Sequence, residues 1–217
     1  MIEAVVFDLD GVLVDSEPVW EHVRRGLVEG YGGHWADDAQ QRLMGMSTHE
    51  WARYLSEDLG IGLPPDQVAR LVIRRMAAEY QRALPLLPGA VDAVRRMAGR
   101  WPLGLASSSP PALIRTVLTS AGIAPLFKAT VSTEDVAQGK PAPDVYLTVA
   151  AQLGVQPGTA AAVEDSSNGL RSAAAAGLHV IAVPRPEYPP AADALNQAQA
   201  VLGGLDELTT ELVAGLA

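Results

Sequence analysis

The first apolar run of the chain, Glu3 to Leu9, is short and β-branched at its start, a pattern that predicts a buried parallel strand rather than an amphipathic helix. The pattern then changes at once. Trp20, Val23, Leu27 and Val28 recur at helical spacing behind Ser16-Glu17-Pro18, which predicts a helix capped by Ser16 and ended by Gly30 and Gly32. Further helical patterns cover Asp37 to Leu43, Thr48 to Leu59 and Asp66 to Leu84, with breaks near Gly45 and from Gly60 to Pro65. No strand pattern interrupts the stretch from Ser16 to Leu84, so an all-helical insert is expected there.

From Leu86 onward strands and helices alternate. Helices are predicted from Pro88-Gly89 through Met97, from Ser109-Pro110-Pro111 to Gly122, over Asp144 to Leu153 and over Ser166 to Ala176. Strands are predicted over Pro102 to Ala106, Ala129 to Ser132, Thr159 to Val163 and His179 to Val183, with one more near Ala200 to Leu202 and a terminal helix. Such alternation implies α/β architecture, a parallel sheet covered by helices on both faces. The expected division is residues 1–15 with 86–217 as the α/β domain, and 16–85 as the helical insert.

Composition narrows the functions available. The 217 residues are 48% hydrophobic and 19% charged, an ordinary globular balance. A formal charge of −9 and a pI near 4.8 argue against a nucleic-acid partner, which needs clustered Lys and Arg. A bound metal and a single lysine still reverse the local field for a phosphorylated ligand. There is no cysteine, so thiolate chemistry and disulfides are excluded. With no signal core and no apolar stretch of membrane-spanning length, a soluble cytoplasmic monomer is expected.

The polar clusters fall at predicted strand ends, where open α/β sheets bind ligands. Asp8 and Asp10 stand two apart at the end of the first strand, so they share a face while Leu9 turns into packing. Two crowded carboxylates call for a cation, a shared proton or one raised pKa. Asp10-Gly11 alone would equally mark a turn. Ser107, Ser108 and Ser109 lie between a strand and a helix, where hydroxyls and N–H groups converge on an anion. Lys140 sits between Gly139 and two prolines, which restrict the loop and hold an ammonium in place for a developing phosphoryl charge. Glu164 and Asp165 end another apolar strand, and with Asp8 and Asp10 they suit Mg²⁺, which takes carboxylate and carbonyl oxygens.

These residues, in this order over essentially the whole chain, resemble the four motifs of the haloacid dehalogenase superfamily, closest to its branch of β-phosphoglucomutase and sugar-phosphate phosphatases. The resemblance implies a Rossmann-like parallel sheet flanked by helices, with residues 16–85 as a small helical cap. It implies Asp8 as nucleophile and metal ligand, Asp10 as acid and base with its carbonyl on Mg²⁺, and Ser107, Ser108 and Lys140 as phosphate-binding groups. Asp165 is implied as the firmer metal ligand and Glu164 as the weaker one. The function implied is a Mg²⁺-dependent phosphatase acting on small phosphate monoesters, with sugar phosphates foremost, through an aspartyl-phosphate.

The alternative acceptor is a sugar, which would make the protein a β-phosphoglucomutase-like phosphomutase. Those sequences carry a histidine five residues beyond the last aspartate of the first motif, where this chain has Trp20. They also carry an arginine shortly after the cap glycine, where this chain reads Gly45-Met46-Ser47-Thr48-His49. Water is therefore the expected acceptor, and Glu17, Trp20, Ser47 and His49 are the candidate substrate-selecting residues of the cap. A non-catalytic binding protein of the same fold is the third reading, ranked last because each catalytic position holds a competent residue.

Overall fold

The computed structural model describes residues 1–43 and 46–216, so the break expected at Gly45 lies outside the described residues. The chain divides into two compact units, Met1–Asp15 with Pro85–Ala217, and Ser16–Leu84. Pro85 goes with the first unit, where its carbonyl accepts from the Asp15 N–H at 2.8 Å.

In the first unit the strands are β1 (Ala4–Phe7), β2 (Leu103–Ser107), β3 (Phe127–Ser132), β4 (Ala160–Glu164), β5 (His179–Ala182) and β6 (Ala200–Val201). Among the described residues they form one parallel sheet in the order β3-β2-β1-β4-β5-β6. Every residue of β1, β2 and β4 is buried, as a sheet covered on both faces requires. This is a Rossmann-like α/β fold. The strand order reverses between β1 and β4, the place where such sheets open a ligand crevice. Phe7 lies opposite Leu105 on one side and Val163 on the other, so the next residues, Asp8, Ala106 and Glu164, stand at one level of the sheet.

The helices of the second unit are α1 (Glu17–Gly30), α2 (Ala39–Leu43), α3 (Thr48–Arg53) and α4 (Pro65–Arg82); those of the first are α5 (Ala90–Ala98), α6 (Pro111–Ser120), α7 (Asp144–Leu153), α8 (Ser167–Ala175), α9 (Ala192–Leu195) and α10 (Thr210–Ala214). The single helix expected over Thr48 to Leu59 changes character at Tyr54, where a π-helical turn runs to Asp58. Ser16 does not cap α1. Its backbone is already helical, at φ −83° and ψ −28°, whereas a capping side chain needs the extended region. The turn α9 is too short to show a period in the sequence.

Within the second unit, α4 buries Val68, Val72, Met76 and Tyr80. The rings of Trp20 and Trp51 lie 6.0 Å apart, and the Arg24 guanidinium stands over both, at 4.4 and 5.2 Å from their centroids. No helix among the described residues is long and apolar enough to cross a membrane.

Candidate active site

The strand β1 ends at Phe7, two residues short of the predicted end, because the chain turns immediately afterwards. Asp8 keeps one sheet bond, its N–H donating to the Val163 carbonyl at 3.0 Å. The Leu9 carbonyl then accepts from both Leu13 and Val14, which closes the loop and buries Leu9. Asp10 is carried over β2. Its Oδ2 accepts from Ser109 Oγ at 2.8 Å and from Ser107 Oγ at 3.2 Å, and Ser107 Oγ accepts from the Ser109 N–H at 2.9 Å. Ser109 is fixed in turn by Ser132 Oγ, which donates to its carbonyl at 2.7 Å. Ser108 between them is exposed.

Lys140 enters on the loop that leads into α7. That loop is held by Ser172 Oγ of α8, donating to the Ala142 carbonyl at 2.6 Å, and by Asp144 Oδ1, accepting from the Gln138 N–H at 3.2 Å. The Lys140 side chain is buried, and Nζ donates to Asp8 Oδ1 at 2.8 Å, Glu164 Oε1 at 2.6 Å and the Ala106 carbonyl at 3.0 Å. All three ammonium protons are thereby matched. Burial alone would lower the Lys140 pKa, yet the charges of Asp8 and Glu164 outweigh it and hold the ammonium above its ordinary value.

Glu164 closes β4 with no exposed surface. Besides Lys140, its Oε1 accepts from the Tyr146 hydroxyl at 2.6 Å, and its Oε2 accepts from the Asp165 N–H at 3.2 Å and Ser166 Oγ at 3.3 Å. The Ser166 hydroxyl also caps α8, taking the Gly169 N–H at 3.1 Å. Two glycines make room for these carboxylates. A Cβ on Gly11, where φ is +82°, would overlap the Asp165 carboxylate, and a Cβ on Gly169 would overlap that of Glu164.

The site carries more negative charge than it can hold alone. Asp8, Asp10, Glu164 and Asp165 face one ammonium, and Asp8, Glu164 and Asp165 each offer an oxygen within 4.8 Å of the others'. Burial, with Glu164 and Asp10 nearby, raises Asp8 to about 8 against the opposing pull of Lys140. Burial, followed by the charges of Asp8 and Glu164, also lifts Asp165 well above the usual carboxylate range. Among the described residues, buried Asp165 Oδ1 and Asp10 Oδ1 have no hydrogen-bond partner. An all-oxygen donor set with two open buried oxygens and an excess of negative charge fits a hard divalent cation such as Mg²⁺.

The fold thus brings together Asp8, Asp10, Ser107, Lys140, Glu164 and Asp165. Of the five remaining candidates, Ser108 lies exposed on the loop after β2 and the other four lie in the second unit. Glu17 Oε2 accepts from Gln40 Nε2 at 2.8 Å, Trp20 is buried, His49 is exposed, and Ser47 forms a capping box with Glu50 at the start of α3. Tyr146 and Gly169 escape a sequence reading, and Ser109 is read only as one member of a serine run, without its bond to Asp10. Tyr146 has the spacing of a core residue. Gly169 did leave a signal, since glycine inside a helix costs about 1 kcal/mol relative to alanine and needs a reason.

The sequence profile of the haloacid dehalogenase-like hydrolases matches residues 2–177. The chain belongs to that family. It is 36% identical over 193 residues to hexitol phosphatase B of Escherichia coli (strain K12), covering 86% of this chain and 85% of that one. It is 32% identical to a phosphorylated carbohydrates phosphatase of Thermotoga maritima over 83% of this chain and 84% of the other. The crystal structure of CbbY from Rhodobacter sphaeroides in complex with phosphate superposes with a TM-score of 0.84 at 28% identity, over 96% of each chain.

Proposed function

We propose that the chain is a Mg²⁺-dependent phosphatase that hydrolyses small phosphate monoesters, sugar phosphates foremost, through an aspartyl-phosphate on Asp8. The observation that carries this reading is the pairing of Lys140 Nζ with Asp8 Oδ1 at 2.8 Å, a cation held on the carboxylate that would meet phosphorus. The names of the two carbohydrate-phosphate phosphatase relatives support the substrate class.

In this mechanism an Asp8 oxygen attacks phosphorus while Asp10 gives its proton to the departing alcohol oxygen. A water then attacks the aspartyl-phosphate, Asp10 takes the proton back, and inorganic phosphate leaves with Asp8 restored. Lys140 and the Ser107 hydroxyl stabilise the equatorial oxygens, since positioning and electrostatics supply most of phosphoryl-transfer catalysis. Mg²⁺, when bound, adds positive charge against the phosphoryl oxygens and keeps Asp8 ionised. Asp8, Asp165 and the Asp10 carbonyl would hold it. Glu164 already takes four donors, which supports its role as the anchor of Lys140 ahead of a direct metal contact.

Water is the acceptor in this reading, with Trp20 standing where mutase-like sequences place a histidine. The burial of Trp20 and the capping box of Ser47 support structural work for those two, which leaves Glu17 and His49 as the side chains proposed to select substrate. The test is a phosphate-monoester library assayed with and without Mg²⁺, glucose 1-phosphate isomers included. Mg²⁺-dependent phosphate release from sugar phosphates is expected. Interconversion of glucose phosphates without release would replace the phosphatase with a mutase, and no turnover of any ester would leave only a binding protein.

A further inference from the structure

Tyr146 lies on the buried face of α7 with Val145, Val149 and Ala150, and its side chain has essentially no exposure. Phenylalanine would fill the same space without bringing a polar atom into the core, and a buried hydroxyl is costly unless it is paired. Here the hydroxyl is aimed at Glu164 Oε1, the oxygen that also accepts from Lys140 Nζ, each contact being 2.6 Å. The same ammonium lies 5.2 Å from the Tyr146 ring centroid. The phenol therefore touches both members of the Lys140–Glu164 pair, one through its oxygen and the other through its ring.

Lysine is a compact charge on a flexible stem, so its place is set by its partners. Of the three acceptors on Nζ, Ala106 contributes a neutral carbonyl and Asp8 is the proposed nucleophile. Glu164 is the remaining anchor, and among the described residues Tyr146 alone is an uncharged side-chain donor to its Oε1.

We propose that Tyr146 is a positioning residue: its hydroxyl fixes Glu164 and, through it, the point at which the Lys140 ammonium meets the phosphoryl group. This rests on the reading of Lys140 as the phosphoryl-binding cation. Remote misplacement of a reacting group by about 1 Å costs roughly a hundredfold in rate, so a partial loss of this anchor is measurable.

The experiment is Tyr146→Phe, which keeps the ring and removes the donor. Lys128 and Lys140 are the only lysines of the sequence, and Lys128 is exposed. Protein made with lysine labelled at the ε-carbon therefore gives two NMR signals, and the one lost in Lys140→Arg belongs to Lys140. The expected result is kcat on p-nitrophenyl phosphate lowered about tenfold, weaker inhibition by inorganic phosphate, and a displaced Lys140 signal. The Mg²⁺ concentration for half-activation should move by less than about twofold, since the metal ligands are untouched. Incorporation of p-aminophenylalanine at 146 returns a donor and should restore both kcat and the signal.

An unchanged kcat overturns the proposal. So does a loss that saturating Mg²⁺ recovers while the Lys140 signal stays in place, because the hydroxyl would then act on the metal. If Tyr146→Phe does not fold, the p-aminophenylalanine protein decides: a native Lys140 signal supports the proposal and a displaced one ends it. Should the unmodified protein hydrolyse no ester, the phosphatase reading fails by itself. The Lys140 signal and inorganic phosphate binding then still judge Tyr146.

Discussion

Ser109 donates its hydroxyl to Asp10 Oδ2 across 2.8 Å, holding the carboxyl group proposed as acid and base from the far side of the loop after β2. Ser107 adds a weaker second donor at 3.2 Å. Removing the stronger one in Ser109→Ala should lower kcat on a sugar phosphate about tenfold, the worth of one hydrogen bond to a charged group. An ester with p-nitrophenol as leaving group needs little protonation, so its kcat should fall by less than about threefold. Equal losses on both esters would show that Ser109 does not act through Asp10.

Asp8→Asn should remove Mg²⁺-dependent turnover while leaving the fold intact. It removes a group whose pKa, raised to about 8 by burial foremost, makes the folded metal-free chain take up a proton at neutral pH, a cost asparagine does not carry. Its melting temperature in EDTA at neutral pH should therefore equal or exceed that of the unmodified protein. Residual turnover near the unmodified rate would place the nucleophile elsewhere.

The metal-free protein should lose stability as pH rises from about 5 to about 8. Asp8 has its folded pKa raised from 3.8 to about 8 by burial foremost, and Asp165 is raised in the same direction. Between the two values the folded chain keeps protons that the unfolded chain has released, so stability present at low pH is lost on the way up. Lys140 is raised from 10.5, outside this window. Melting temperatures across the range in EDTA check the slope, and excess Mg²⁺ should flatten it. A level profile in EDTA would contradict the assignment.

Gly169→Ala should destabilise the protein in spite of alanine's better helix propensity. The gain of about 1 kcal/mol in helix propensity is opposed by overlap with Glu164, and overpacking of this kind costs roughly 1–3 kcal/mol. The change should also lower kcat, because Glu164 carries Lys140. Calorimetry and kcat on one ester suffice, and a melting temperature higher than the unmodified protein's would refute it.

The strand ends were legible because aspartates and a glutamate do not terminate apolar runs without cause, as at Asp8, Glu164 and Asp165. The bonds among them were not. Asp8 and Asp10 are both in the site, though strand alternation is not the reason: the strand stops at Phe7 and a loop delivers them. Ser16 has the composition of a helix cap and the backbone of a helix, a distinction that lies in ψ. Tyr146 was hidden because a phenol on an apolar face looks like core until the atom beyond its oxygen is known. Only the fold brings residues 8, 106, 140, 146 and 164 to one place.

The strand β1 takes both of its neighbours from far downstream, β2 beginning at Leu103 and β4 at Ala160. During synthesis it therefore emerges first and pairs late, with a contiguous helical unit, Ser16–Leu84, made complete in between. A ribosome-bound chain halted before β4 carries Asp8 but neither Glu164 nor Asp165, so no nascent chain acquires its full set of site carboxylates until more than 160 residues have been joined.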